Sequence, residues 1–282
     1  MKTSSSPRPP PAPRDIEDLG DVRGRVHSVD SFTAVDGHGI RAIVFLQGCE
    51  KRCVFCCNPD SWSARSGASM TAKQVFTRIQ RNARYYAASG GGITLSGGEP
   101  LLQARRRRRR PAFAAELCDL VRARGLTAAI DTAAGGTSAG WDVVLPRVDL
   151  VLLCVKSSIA SKHARITGSA DDRPFRQMLS FLAATRARGI ETWIRFVLMR
   201  DRAAFFRAIA TDGDDEIAGV AALCDAHANV QGVELLPYHR FGEYKWKEMG
   251  VTYPMRGGRT PSRETIASVK RKFEARGVRV IA

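Results

Sequence analysis

Three thiols fall within eight residues in the segment Cys49-Glu50-Lys51-Arg52-Cys53-Val54-Phe55-Cys56. This CxxxCxxC spacing puts three thiolates on one short loop. Such a loop suits three irons of a cubane iron–sulfur cluster and leaves the fourth iron without a protein ligand. Clusters held by four cysteines mainly carry electrons, whereas an open iron can bind and activate a small molecule. A structural zinc site wants four ligands, usually as two separated pairs, and no second pair follows here. Phe55 directly before the last cysteine and the glycines downstream set this loop apart from three unrelated thiols in a buried turn. Cys57 adds a competing CxxxCxxxC register.

Other residues could serve a ligand beside such a cluster. Gly97 and Gly98 lack a Cβ, so backbone at that point can lie close against a bound molecule. Glu99 brings a carboxylate and Pro100 stiffens the exit, although an ordinary glycine turn would look the same. Lys156 follows a mostly apolar run, Leu150 to Val155, where a lysine that snorkels from a strand end is the plain reading. His239 reads equally as a loop histidine. Arg195 sits on an apolar strand and must find a partner or reach a rim, because an unpaired buried guanidinium is costly. It is a candidate carboxylate or substrate ligand.

These residues need elements to hold them. Apolar, β-rich runs alternate with helical patterns. Strands are expected at Ala42–Gln47, Gly92–Leu95, Thr127–Ile130, Leu150–Val155, Glu191–Leu198, Gln231–Leu236 and Val278–Ile281. Helices are expected at Thr71–Ala88, Phe113–Arg124, near Trp141, and at Pro174–Arg188, Glu216–His227 and Ser262–Arg276. Gly189 falls where a helix C-terminus wants a left-handed residue. Continuous apolar strands alternating with helices mean a parallel sheet covered by helices. About six β/α units are too few to close an eight-stranded barrel, so the expected fold is an α/β partial, open parallel barrel. Chemistry in such barrels sits on loops at the C-terminal ends of the strands. The cysteine loop, Gly97–Glu99, Asp131-Thr132, Lys156, Arg195 and His239 all fall at or toward such ends.

Val35-Asp36-Gly37-His38-Gly39-Ile40-Arg41, the cysteine loop, Ser96-Gly97-Gly98-Glu99-Pro100 and Leu236-Pro237-Tyr238-His239 together resemble the radical S-adenosylmethionine superfamily. Within it they resemble the family of glycyl-radical activases that act on pyruvate formate-lyase. The likeness runs from about Gly24 to the C-terminus. It implies reductive cleavage of S-adenosylmethionine at a [4Fe-4S] cluster held by Cys49, Cys53 and Cys56. The resulting 5′-deoxyadenosyl radical would take a hydrogen atom from a backbone glycine of pyruvate formate-lyase. A reduced flavodoxin or ferredoxin would supply the electron. By the same resemblance Phe55, Cys56, Cys57, Gly97, Gly98, Glu99, Cys154, Val155, Lys156, Arg195 and His239 line the cofactor. Gly98 would meet the methionine amino group, Lys156 its carboxylate and His239 the ribose. Asp131 and Thr132 match positions that help hold a monovalent cation.

The chain also departs from the family pattern. Cys57 stands where a histidine is common, and Cys154 where an aspartate completes the cation site. Ala133 replaces an asparagine, His38 a proline, and Arg200 to Gly213 a compact Pro-Gly loop. A thiol is a soft, neutral ligand at a site suited to hard oxygens. The alternatives to a divergent active enzyme are another radical S-adenosylmethionine enzyme, with a different glycyl-radical partner or a metabolite substrate, and a weakened relative acting as a basic iron–sulfur protein. No cysteine lies between Cys57 and Ser96. That favours the pyruvate formate-lyase type over activases carrying an inserted ferredoxin-like segment.

Composition sets outer bounds. The 282 residues with 44% hydrophobic content can build a full core, and no run of about eighteen apolar residues suggests a membrane span. Seven cysteines in a chain of this length read as reduced thiols. They point to the cytoplasm, or to an organelle interior if the N-terminal tail is a targeting remnant. The net charge of +16 could serve nucleic acid, but Arg105–Arg110 carries six of those charges in one run. No recognition-helix, zinc-finger or aromatic-interleaved pattern accompanies it, so it reads as a basic insertion. Residues 1–22, rich in Ser and Pro at their start, read as a disordered tail, and residues 23–282 as one core domain.

Overall fold

The computed structural model describes residues 22–104, 113–200 and 207–281. The Arg105–Arg110 run, nearly all of the tail and part of the Arg200–Gly213 loop lie outside the described residues.

A parallel series of strands runs β2 (Arg41–Leu46), β4 (Gly92–Gly97), β5 (Thr127–Thr132), β6 (Leu150–Cys154), β7 (Glu191–Leu198), β8 (Val230–Pro237) and β9 (Val280–Ile281). β1 (Arg23–Thr33) pairs antiparallel with β2 and carries β3 (Ala68–Thr71) on its other side. The order is therefore β3-β1-β2-β4-β5-β6-β7-β8-β9, an open sheet with two edges. The parallel strands are buried on both faces, as their continuous apolar runs require. Val151 and Leu153 of β6 join the main core, while Leu150 and Leu152 face a smaller cluster with Ala129 and Trp193. Period-two alternation places these neighbours on opposite faces.

The covering helices are α1 (Ala72–Ile79), α2 (Ala83–Ala88), α3 (Phe113–Arg122), α4 (Ser138–Val144), α5 (Ala160–Thr167), α6 (Arg173–Ala187), α7 (Asp214–Ala226), α8 (Glu243–Glu248) and α9 (Arg263–Glu274). A capping box starts α1: Thr71 accepts from the Gln74 amide and the Gln74 side chain accepts from the Thr71 amide. Gly189 closes α6 at φ +64°, with its amide on Arg186 and the Ile190 amide reaching back to Thr185. A Cβ there would meet nothing, so only backbone conformation selects glycine.

The strand and helix alternation is as expected, with five differences. β1 and the edge strand β3 are not among the expected strands, because their side chains are mostly exposed and apolar alternation barely marks them. The expected Thr71–Ala88 helix is two helices separated by a 3-10 turn at Gln80–Asn82. Asn82 and Tyr86 both donate to the Ser31 carbonyl, anchoring the second helix to β1. The short helices α5 and α8 lie in segments where no element is expected. Both pack against the cysteine loop, and that tertiary contact supports helices too short to persist alone.

Candidate functional site

β2 ends at Leu46 and the chain enters the cysteine loop, which is held by backbone bonds on both sides. Gly48 and Cys49 donate to the carbonyls of Ser61 and Trp62. Arg52 and Val54 donate to Thr167 and Ile166 at the end of α5, and Cys56 donates to Cys53. The Arg52 guanidinium reaches the Cys49 carbonyl at 2.8 Å, and Trp246 of α8 donates to the Cys56 carbonyl at 2.9 Å. Phe55 is buried in a cluster with Ile166, Tyr238, Trp246 and Tyr253. Its side chain thus anchors the loop, while its ring faces the Lys156 ammonium at 5.4 Å. The aromatic before the last cysteine has a packing reason as well as a ligand-side one.

The loop covers a cavity of about 370 Å³ at the C-terminal ends of the strands. That volume suits a nucleoside-sized ligand. Cys49, Cys53, Cys56 and Cys57 line it from the loop. Gly97 and Gly98 line it from the end of β4, Asp131 and Thr132 from β5, and Cys154 and Lys156 from β6. Arg195 of β7 and His239 after β8 complete the ring. The structure therefore brings together nearly every residue singled out from the sequence. Glu99 and Val155 are the exceptions, being buried beneath the lining at 1% and 0% exposure.

Glu99 braces rather than faces the cavity. Its carboxylate accepts from the Thr132 hydroxyl at 2.6 Å and from the amides of Leu101 and Ala133 at 3.1 and 3.0 Å. Burial lifts this carboxyl above its ordinary range, opposed by the charge of Lys51 and by those bonds. Val155 points into the core and uses its amide on the Arg195 carbonyl. Gly97 and Gly98 are demanded by the protein itself. A Cβ on Gly97, at φ +112°, would lie 2.2 Å from the Leu46 amide nitrogen, and one on Gly98 would lie 2.3 Å from the Gly48 carbonyl oxygen.

Arg195 is 8% exposed and answers to three carboxylates from three distant segments. Nε meets Glu234 at 2.7 Å, Nη2 meets Asp36 at 3.0 Å, and Nη1 meets Asp131 at 3.3 Å. Nη2 also donates to the Val35 carbonyl at 2.8 Å. The guanidinium ties the Val35-Asp36-Gly37 turn to the strand ends, and its donors are consumed within the protein. His38 bonds Glu191 at 2.9 Å and packs edge-on against Trp193, so it has its own anchor in place of a proline ring. His239 leans on Phe241, and partial burial holds its imidazole below the ordinary value.

Among the described residues no three His, Cys, Asp or Glu side chains converge on one point as a single ion requires. Three cysteines around one cavity instead match a cluster, in which each thiolate meets a different iron. Burial pushes the Cys49 and Cys56 thiols up to about 12, so metal loading must displace their protons. The cluster fits. The residues expected to hold a monovalent cation are already engaged by protein partners. Asp131 already accepts from Ser96 at 2.8 Å, takes the Cys154 thiol at 3.3 Å and pairs with Arg195. The Thr132 hydroxyl is spent on Glu99 and on the Ala134 amide.

Cys154 is the residue to test here. Burial first, and then Asp131, raises its thiol to about 12, so it stands beside Asp131 as a neutral donor. Cys154→Asp would set two carboxylates together and create a demand for a cation. The expected outcome is S-adenosylmethionine binding that responds to potassium against tetramethylammonium salts, a response the native protein lacks. Calorimetric titration with a thermal-melt control measures it. A folded variant indifferent to the cation would show that the rest of that site is missing too.

Sequence reasoning passed over Lys51, Asn58, Ser96 and Trp62 as lining residues. Lys51 was legible from its place between two cysteines. Trp62 was not, because only folding brings it against Trp246 at 4.9 Å.

Known proteins resemble this chain in sequence and shape. A family model described as a 4Fe-4S single cluster domain matches residues 35–139. A pyruvate formate-lyase-activating enzyme of Listeria monocytogenes is 36% identical over 262 residues, covering 91% of this chain and 98% of that protein. The pyruvate formate-lyase 1-activating enzyme of Escherichia coli K12 is 32% identical over 264 residues, covering 92% and 99%. In shape, a radical SAM methyltransferase from Sphaerobacter thermophilus matches with a TM-score of 0.59 at 15% identity, over 91% of this chain and 75% of that one. That last likeness speaks to the fold alone.

Proposed function

The chain belongs to the family of pyruvate formate-lyase-activating enzymes, and from that premise we propose that its cavity binds a [4Fe-4S] cluster and S-adenosylmethionine to install a glycyl radical on pyruvate formate-lyase. The observation that carries this reading is the convergence of three cysteines, a glycine pair and Lys156 on one cavity at the strand ends. When bound, the cluster supplies the electron that splits S-adenosylmethionine into methionine and a 5′-deoxyadenosyl radical, which abstracts the glycine hydrogen.

The chain's own residues bind and orient. Cys49, Cys53 and Cys56 hold the cluster and leave one position open. The Gly97-Gly98 turn offers backbone polar groups to the methionine amino group, with Glu99 bracing the turn from below. Lys156 has no carboxylate within ion-pair distance among the described residues, so its ammonium is available for the methionine carboxylate. His239, held neutral, faces the ribose. A low-potential flavodoxin or ferredoxin is the proposed electron donor, and a basic chain suits an acidic donor surface. Among the described residues no helix is long and apolar enough to cross a membrane.

The test is anaerobic reconstitution with iron and sulfide, then dithionite and S-adenosylmethionine with and without pyruvate formate-lyase. Formation of 5′-deoxyadenosine, and a glycyl-radical resonance only when the partner is present, is the expected result. Cleavage without any radical on the partner would redirect the proposal to another substrate. No cleavage by fully loaded protein would end it.

A further inference from the structure

Lys51 is a buried cation with one long ion pair among the described residues. Its side chain is 5% exposed, and its nearest carboxylate oxygen, on Glu50, lies at 3.5 Å. Glu50 itself is largely exposed and also accepts from the Gly136 amide at 3.3 Å. Glu99 is near enough to feel the Lys51 charge, yet it carries three hydrogen bonds of its own and forms no ion pair with it. Removing an ammonium from water costs several kcal/mol unless a counter-charge repays it. Neither carboxylate supplies a full repayment.

The lysine lines the same cavity as the three cysteines and lies electrostatically next to Cys49. Lys156, on the opposite strand end, couples to Cys53 and Cys56. Arg195 cannot play this part, because three carboxylates already neutralise it. Two ammonium groups, Lys51 with only a long ion pair to Glu50 and Lys156 with none among the described residues, therefore flank three thiols whose loaded form carries net negative charge. The potential of an iron–sulfur cluster depends on net charge, hydrogen bonds to sulfur and burial. A fixed positive charge at the Cys49 side favours the reduced, more negative state over the oxidised one.

We propose that Lys51 tunes the reduction potential of the cluster, raising it so that a one-electron donor can reduce it before S-adenosylmethionine is cleaved. The inference rests on the cluster reading above and concerns Lys51 as a positioning charge, not as a ligand. Lys156 is the cofactor-facing lysine and Lys51 the cluster-facing one. Replacing Lys51 should thus move the potential and leave cofactor affinity alone.

The experiment is a redox titration of anaerobically reconstituted protein, followed by electron paramagnetic resonance, for the native chain, Lys51→Met, Lys51→Gln and Lys51→Arg. Both neutral variants should be at least tenfold harder to reduce, a fall of about 59 mV for one electron. Lys51→Arg should stay near the native value, and S-adenosylmethionine affinity should change less than threefold in all four proteins. If Lys51→Met does not load, Lys51→Gln decides the matter. An unchanged potential in a loaded neutral variant would overturn the proposal and leave Lys51 as the counter-charge of Glu99. A tenfold loss of cofactor affinity at unchanged potential would overturn it in favour of a carboxylate-binding role. Failure of the native chain to assemble any [4Fe-4S] cluster would instead refute the site assignment on which it rests.

Discussion

Replacing Cys49, Cys53 or Cys56 singly with alanine removes the cluster's visible absorption and its reduced-state resonance, whereas Cys57→Ala keeps both. The activity loss should exceed the roughly 10–100-fold that changes to outer-sphere partners of metal ligands cost, because a ligand itself is gone. Two registers are written in the sequence, and the structure distinguishes their thiols by what each one faces. Cys49 interacts electrostatically with Cys53, and Cys56 with both of them. Cys57, the exposed member, interacts with Cys56 among these thiols and also with Lys156 and Lys245. Its thiol reaches back toward the Phe55 carbonyl at 3.8 Å, and its backbone packs so tightly on Gly242 that a Cβ there would lie 2.6 Å away. Cys57 thus lines the same cavity, but only Cys49, Cys53 and Cys56 interact mutually as a set of three. Loss of the cluster in Cys57→Ala with retention in Cys56→Ala would reverse the ligand assignment.

Arg195→Met lowers stability by about 3–5 kcal/mol, the usual cost of removing one partner from a buried ionic group. For a chain of this size that is a fall in melting temperature of roughly 6–20 °C at neutral pH. Asp36, Asp131 and Glu234 would be left together without a cation. Burial already holds Glu234 above its ordinary value, against the pull of Arg195. Without the guanidinium that shift must grow. A carboxyl whose folded value is raised contributes most to stability when protonated. Its contribution falls as pH climbs from the unfolded value through the folded one. The deficit of Arg195→Met relative to the native protein should therefore be small in mild acid and widen toward neutrality. Thermal melts at two pH values measure this. Arg195→Lys should recover only part of the loss, since one ammonium cannot span the three directions the planar fork serves. A neutral-pH melt within about 2 °C of native would show that the carboxylates find other partners.

Much of this molecule was legible without coordinates because its signals are local. Cysteine spacing depends on eight consecutive residues. The parallel strands announce themselves by continuous apolar runs, and Gly189 by the backbone conformation that a helix end requires. Once strand and helix alternate, topology alone sends the loops after β2, β4, β5, β6 and β8 to one rim. The cavity lined by Cys49, Gly98, Asp131, Lys156 and His239 follows from order in the chain. Resemblance added the chemistry those residues perform. β1 escaped because a strand whose side chains are mostly solvated carries little apolar alternation.

Other features needed the folded chain, because they are pairings across long separations. Nothing near Arg195 in sequence says that it will be shared among residues 36, 131 and 234. The same holds for Glu99, whose carboxylate looked free for a ligand and is instead consumed by Thr132, Leu101 and Ala133. Gly97 and Gly98 do line the cavity, but the close backbone of Leu46 and Gly48, which would clash with a Cβ, was not legible from sequence. Side-chain direction was equally hidden. Spacing names Cys56 and Cys57 as adjacent thiols, but only the folded chain brings Cys56 within the influence of both Cys49 and Cys53 and leaves Cys57 more exposed. Sequence order decides which rim a residue reaches. Competition among buried charges for a limited set of partners decides what remains free once it is there, and that competition exists only after the distant segments have met.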